Sequence, residues 1–291
     1  METAQIVKSR LLLNVALLVA LLGLALYAYF RSADESKPEI RITQLSRNQI
    51  DRVRIERHNA ADTEMEKRDG NWHMLRPYNT RVEQLQVDRL LDISSATASE
   101  QLAHENLSRY GLDPARLTVT LNEQAFTFGN INEITNEQYL ATGDSVYLVR
   151  TYFGYGIPIN ATKLVSHKLL GTDETPVAFD FGEWQVVKSD NGGWSMQGKT
   201  APNNDDVLSS DTLNQWIAEW HLASSLSATP NEGPARGERI VIQFSNGNSA
   251  EIRILSRDPD VQLLRVGENM RYQFGAGAGG RLLDPYRVAG E

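Results

Sequence analysis

The side chains that could carry chemistry in this sequence are its histidines and a few short acidic clusters. The histidines are His58, His73, His104, His167 and His221. None stands in an H-x-x-x-H or H-E-x-x-H pattern, the spacing that places two imidazoles on one helix face to bind zinc. The chain contains no cysteine, which excludes thiolate nucleophiles and cysteine-ligated zinc. The sequence therefore predicts no metal centre.

Two other stretches contain residues typical of functional motifs, but neither has the context or spacing that the function requires. Gly275–Gly280 has the spacing G-x-G-x-x-G, but a dinucleotide site also needs a following helix and a second parallel strand, and too few residues remain. We expect a flexible loop there. The turn Arg257–Asp260 carries two acids without the D-x-D-x-D-G spacing of a calcium loop. No G-x-S-x-G element accompanies the serines. We therefore predict no catalytic residue, no cofactor and no enzymatic activity, and a hydrolase is the least favoured alternative.

The residues best suited to binding are Arg150, Tyr152, Phe153 and Tyr155. They place three aromatic rings within four positions of one short segment. Aromatic and arginine side chains are enriched among the anchors of protein interfaces, and a cleft between domains is a common place for a pocket. Two interpretations stay open: the rings pack between two halves of the protein, or they form a surface for a partner or ligand.

A long apolar run, Leu11–Phe30, precedes the remaining sequence. Its length of about 20 residues is what a helix needs to cross the hydrocarbon core of a bilayer. The apolar region of a cleaved signal peptide is normally only about 7–15 residues. Lys8 and Arg10 stand before the run, and basic flanks favour the cytoplasmic side. We predict an uncleaved single-pass anchor in a bacterial inner membrane, with the N-terminus cytoplasmic and the C-terminal domain periplasmic.

Composition restricts the classes of partner. The formal net charge is −8, whereas duplex binding depends on Lys and Arg neutralising phosphates, so no nucleic-acid partner is expected. The hydrophobic fraction is 41%, as in ordinary globular proteins. About 260 residues follow the apolar run, enough for one large or two modest domains.

A strand–helix–strand succession occurs twice along the chain. Asp69-Gly70 and Asn246-Gly247 predict tight hairpin turns, one in each half. Three landmarks recur at offsets of roughly 122–124 residues: Trp72 with Trp194, Arg116 with Arg239, and Gly143 with Gly267. The sequence thus predicts an α+β fold with a transmembrane helix and two tandem, duplicated units of antiparallel sheet plus helix. The expected boundaries are 1–31 for the N-terminus and anchor, 32–48 for a tether, 49–158 for the first unit, 159–176 for a linker helix and 177–291 for the second unit.

One stretch of the first unit resembles a known family. It comprises Gly70–Pro77, a helix, the element Arg109-Tyr-Gly-Leu-Asp-Pro, and a strand pair ending at Gly129. This arrangement resembles a bacterial family catalogued as a domain of unknown function, over about Ile50 to Leu170. Members of that family are typically membrane-anchored, often carry the module in duplicate, and some are encoded beside ABC transporters of the gliding-motility type. The resemblance implies no catalytic residues.

These observations favour an inner-membrane protein with a non-enzymatic interaction domain, an accessory subunit of an ABC-transporter-like complex. Its expected partners are the lipid bilayer and integral-membrane proteins. A periplasmic module that binds a small molecule or glycan is the alternative, with its ligand unknown.

Overall fold

The computed structural model describes residues 15–27, 39–198 and 208–288. Residues 15–27 form helix α1, and each of them is exposed. The ends of the predicted anchor, residues 11–14 and 28–30, lie outside the described residues. Within the three described ranges, no helix has both the length and the apolar character that crossing a bilayer requires.

Two antiparallel sheets make up most of the remaining structure, and the fold is α+β. The first sheet contains β1 (Ile40–Arg41), β2 (Arg52–Arg57), β3 (Thr63–Arg68), β4 (Asn71–Arg76), β5 (Thr80–Arg81), β6 (Thr97–Ala103), β7 (Leu117–Leu121), β8 (Gln124–Ile131), β9 (Glu137–Thr142) and β10 (Ser145–Arg150). The second contains β11 (Pro176–Asp180), β12 (Trp184–Lys188), β13 (Trp194–Gly198), β14 (Ser227–Pro230), β15 (Glu238–Phe244), β16 (Ser249–Ser256), β17 (Val261–Arg265) and β18 (Met270–Phe274).

Four more α-helices accompany these sheets in the described ranges. They are α2 (Gln84–Leu91), α3 (Tyr152–Tyr155), α4 (Ser210–Leu222) and α5 (Ala276–Leu283). We call the first sheet with α2 and α3 the first lobe, and the second sheet with α4 and α5 the second lobe. Residues 159–175 form the connecting segment between the lobes.

The two sheets share one strand order. Eight neighbouring strands of the first sheet run β4-β3-β2-β7-β8-β9-β10-β6, and the second sheet runs β13-β12-β11-β15-β16-β17-β18-β14. Each of these eight strands therefore has a counterpart at the same position and in the same chain order, and β1 and β5 are additional strands at the two edges of the first sheet. The helices also correspond. Helix α2 precedes β6 in the first lobe, and helix α4 precedes its counterpart β14 in the second.

Turn chemistry and apolar spacing explain why these elements form. Asp69 (φ 48°) and Gly70 (φ 85°) both adopt the positive φ of a two-residue hairpin turn, and Gly247 (φ 84°) does so in the second lobe. The hairpin predictions at these positions are confirmed by the β3–β4 and β15–β16 pairings. Helix α4 buries four residues at helical spacing against its sheet. They are Leu213, Trp216, Ile217 and Trp220.

Three local predictions differ from the structure. The tether predicted over residues 32–48 enters the first sheet, because Ile40–Arg41 pairs with β6 and Ile42 is buried. The linker helix predicted over residues 159–176 contains only one short 3-10 helix, Ala161–Leu164. After it the chain is extended and bridges both lobes, through Val165 to Val82 and Lys168 to Ser224.

The predicted flexible loop at Gly275–Gly280 is wrong, since most of it lies in helix α5. Gly279 is buried against β17, where a Cβ atom would lie 2.3 Å from Cβ of Val261. The glycines thus let a helix approach a strand more closely than any side chain would permit.

Candidate functional site

The aromatic segment predicted from the sequence divides into buried and exposed rings. Phe153 is only 5% exposed and packs in the core, whereas Tyr152 is 52% and Tyr155 75% exposed. Arg150 ends strand β10 and forms an exposed ion pair with Glu39 at 3.0 Å. The structure therefore brings these four residues together on and around α3, with two tyrosine rings facing outward.

A second site, which sequence analysis missed, lies where the lobes meet. Thr80 and Arg81 come from strand β5 of the first lobe, and Glu174 comes from the connecting segment. Arg265 ends β17 and Glu268 lies in the β17–β18 turn of the second lobe. The charged side chains are between 9% and 17% exposed. We call Arg81, Glu174, Arg265 and Glu268 the interlobe network.

Glu268 is the centre of the interlobe network. Its Oε1 atom lies 2.5 Å from Nε of Arg81 and 3.1 Å from Nε of Arg265. Its Oε2 atom accepts hydrogen bonds from Thr80 Oγ1 at 2.9 Å and from the Tyr272 hydroxyl at 3.0 Å. One carboxylate therefore has partners in both lobes.

The opposite charges determine how this carboxylate titrates. Burial alone would raise the pKa of Glu268, but attraction to Arg81 and then Arg265 outweighs burial, so its pKa lies below the usual range. Burial and the Glu268 charge together raise the pKa of the Tyr272 hydroxyl. Glu268 is thus held ionised and Tyr272 neutral, which makes the tyrosine a hydrogen-bond donor to the carboxylate.

The second acid of the network, Glu174, ties the connecting segment to the second lobe. It accepts two hydrogen bonds from the Arg265 guanidinium, and it lies 3.9 Å from Arg81. Arg265 Nη1 also donates to the Leu169 carbonyl at 2.8 Å. Arg81 Nη2 donates to the carbonyls of Lys168 and Leu169, at 3.0 and 3.2 Å. Each buried charge is therefore both paired and hydrogen-bonded, the condition under which buried ions are tolerated.

A cleft of about 530 Å³ opens beside this network. Its walls come from the β3–β4 hairpin, the start of α2 and the connecting segment, and its floor includes Arg81, Glu174, Arg265 and Glu268. This volume is in the range of small-molecule sites. The floor offers two cations and two anions that already neutralise one another, so it carries little net charge to attract a charged ligand.

The charged floor has a weak signal in the sequence. At an offset of 124 residues, the first lobe has Ala141 and Leu148 where the second has Arg265 and Tyr272. A polar residue replacing an apolar one at a corresponding strand position marks a contact that is not shared by the two lobes.

Among residues 15–27, 39–198 and 208–288, no group of three or more acidic or histidine side chains is placed to hold a metal ion.

Comparison with known proteins identifies a family. The model of a family described as "Domain of unknown function (DUF4340)" matches residues 72–232, which run from β4 of the first lobe into the second lobe. No curated protein matches the chain. No solved structure matches it.

Proposed function

This chain belongs to the DUF4340 family, and we propose that it is a single-pass membrane protein whose two lobes act outside the cytoplasm as a non-enzymatic interaction module. The observation that carries this proposal is the apolar helix α1, all of whose residues are exposed. Nine of its large apolar side chains are more than half exposed, eight of them between Val15 and Leu26 and the ninth Tyr27. An exposed apolar surface of this kind marks a site of interaction with a protein or a membrane. The apolar run from Leu11 to Phe30 is long enough to cross the hydrocarbon core of a bilayer.

The interlobe network supports a rigid module. Buried, hydrogen-bonded ion pairs join the two lobes and the connecting segment. We infer that the lobes keep one arrangement and that their outer surface presents a fixed shape to a partner. The common strand order supports a tandem duplication as the origin of the two lobes. The exposed rings of Tyr152 and Tyr155 are the proposed contact for a partner, because exposed aromatic side chains are favoured anchors of interfaces.

The partner that we propose is an integral-membrane complex of the ABC-transporter type. This proposal draws on the resemblance to a family some of whose members are encoded beside such transporters. Purification of the full chain in mild detergent should recover integral-membrane partners in constant ratio. Tyr152→Ala with Tyr155→Ala should reduce that recovery without changing the melting temperature, since both rings are largely exposed. Unchanged recovery, together with a melting temperature lower by several degrees, would show that the rings serve packing.

Membrane insertion has its own test. Two arginines at the centre of the run, Leu18→Arg with Leu21→Arg, cost about 5–7 kcal/mol on the biological insertion scale. We expect the unaltered chain to stay in the membrane pellet after alkaline carbonate extraction and the arginine variant to leave it. The matched control, Leu18→Ala with Leu21→Ala, should stay in the pellet. Release of the unaltered chain by carbonate would contradict the anchor.

A second function is favoured by the cleft between the lobes. Its volume and its place at an interface of two lobes suit a small molecule or glycan. A ligand at a hundred times its dissociation constant stabilises the folded state by about 2.7 kcal/mol. A thermal-shift screen of sugars and metabolites against the full chain should reveal such a ligand, and His73→Ala at the cleft wall should weaken it. A screen in which no compound raises the melting temperature would favour the interaction module alone.

A further inference from the structure

A second cavity, of about 190 Å³, lies at one margin of the first lobe. It forms where the end of β2, the β2–β3 loop, the segment between β4 and β5 and the chain after α3 come together. Its lining shares no residue with the cleft between the lobes. The volume is below the range of about 300–1,000 Å³ that is usual for drug-sized ligands, and it suits one side chain.

The walls of this pocket are mostly apolar. Ile55 and Leu164 are buried and form the floor, while Ala61 and Tyr78 lie nearer the surface. Ile159 lines the pocket and is 76% exposed. Apolar walls that reach an exposed apolar rim favour an apolar group entering from solvent.

Arg57 supplies the single charge of this pocket wall. It is half-buried at the end of β2, and its Nη2 atom donates hydrogen bonds to the carbonyls of Ile157 and Pro158. In the described part of the chain, no carboxylate lies within 4.0 Å of its guanidinium, whereas Arg81 and Arg265 each contact two acids. Burial lowers the pKa of Arg57 with no compensating acid.

Arg57 has hydrogen-bonding capacity that the described residues leave unused. A guanidinium carries five N–H donors, and the two bonds to backbone carbonyls use Nη2 alone. Nε and Nη1 make no hydrogen bond to any residue of the described ranges. A carboxylate is the group that matches this fork in charge and in planar geometry.

We propose that this pocket binds the C-terminal residue of an extended polypeptide, with its α-carboxylate on Arg57 and its aliphatic side chain in the cavity. Capture of a terminal carboxylate is a recurring mode of peptide recognition. Tyr155, four residues before Ile159, adds a second exposed apolar group on the same segment for the residues that precede the terminus. The inference names a partner chemistry for the interaction module and rests on that role.

The test measures the binding of soluble peptides to the full chain in detergent. Its result therefore does not depend on whether the chain inserts into a membrane. The probe is a fluorescent hexapeptide whose one apolar residue is a C-terminal leucine, used as the free acid and as the amide. A charged hydrogen bond predicts that the acid binds at least about tenfold more tightly than the amide. A peptide ending in glycine should also bind at least about tenfold more weakly, because the cavity stays unfilled. Octanoate is a second probe, because a fatty acid also combines a carboxylate with an aliphatic chain.

Variants connect the effect to named atoms. Arg57→Gln should abolish the discrimination between acid and amide, and Arg57→Lys should restore part of it. Ala61→Phe, at an exposed position on the wall, should block all peptides, whereas Ala125→Phe, exposed on β8, should block none. Equal binding of acid and amide, discrimination that survives Arg57→Gln, or Arg57-dependent binding of octanoate without peptide binding would each overturn the proposal.

Discussion

Neutralising Glu268 tests whether the interlobe network holds the lobes together. In Glu268→Gln the side chain keeps its size, but Arg81 and Arg265 lose the charge that lies 2.5 and 3.1 Å away. Among the described residues, Glu174 then remains as the one acid within 4.0 Å of these two buried guanidinium groups. Leaving a buried charge without its partner costs about 3–5 kcal/mol, so we expect the free energy of unfolding to fall by about 3 kcal/mol.

The chain offers a matched control for this substitution. Arg257 and Glu238 form a pair at 2.6 Å whose side chains are 49% and 69% exposed, against 17% and 9% for Arg81 and Glu268. Exposed pairs contribute about 0–1 kcal/mol, so Glu238→Gln should cost less than about 1 kcal/mol. The same chemical change at a similar distance therefore isolates the effect of burial.

Thermal and urea unfolding of the full chain in detergent measure both variants. At about 2–4 °C per kcal/mol for a domain of this size, Glu268→Gln should lower the melting temperature by about 6–12 °C. A double-mutant cycle with Arg81→Met should give a coupling energy above about 1 kcal/mol. A Glu268→Gln loss no greater than that of Glu238→Gln, or a coupling energy near zero, would refute the idea that this network stabilises the lobe arrangement.

The other predictions concern pH and packing. Folding lowers the pKa of Glu268, so its ionised carboxylate stabilises the folded state above the unfolded pKa of about 4.3, and this stabilisation is lost as the pH falls further. The free energy of unfolding of Glu268→Gln should therefore decrease less between neutral and acid pH than that of the unaltered chain. The pKa of Tyr272 is raised by folding, so its contribution is present below about pH 10 and is lost as pH rises, and Tyr272→Phe should weaken this alkaline loss in a pH series of urea melts. Gly279→Ala forces a Cβ against Val261 and should cost about 1–3 kcal/mol, whereas Gly277→Ala, with open space around its Cβ, should add about 0.4–1 kcal/mol; equal melting temperatures would contradict the packing account of α5.

The hairpins could be predicted because their signals are local. A positive φ at Asp69 and Gly70 or at Gly247 is a property of those residues in sequence, and it fixes the two strands that flank them. The apolar spacing of α4 is likewise a short-range signal that matches the buried face. The α+β class followed from these elements.

The connecting segment could not be predicted because its conformation depends on distant partners. Residues 160–170 have a helical apolar spacing, yet the backbone of Ser166 donates to the Arg81 carbonyl, and the backbone of Ser225 donates to the His167 carbonyl. These hydrogen bonds to both lobes replace those of a helix. Tertiary context thus outweighs local propensity at this point.

The interlobe network was missed for the same reason. Arg81 and Glu268 are separated by 187 positions, and each alone has the composition of an ordinary surface residue. Only the arrangement of the lobes buries both. In the aromatic segment, the residue types alone indicated binding. The sequence could not show that Phe153 is buried while Tyr152 and Tyr155 are exposed, because this depends on which side of α3 faces the core.

Thiol labelling tests the central claim of membrane topology most directly. The chain has no cysteine, so a single Ser189→Cys, exposed after β12, is a unique label for the second lobe. A membrane-impermeant maleimide on spheroplasts should label Ser189→Cys at once, and should label Thr3→Cys at the N-terminus only after lysis. Protection of Ser189→Cys until lysis, or recovery of the labelled chain in the supernatant of a membrane spin, would contradict a module anchored with its lobes outside the cytoplasm.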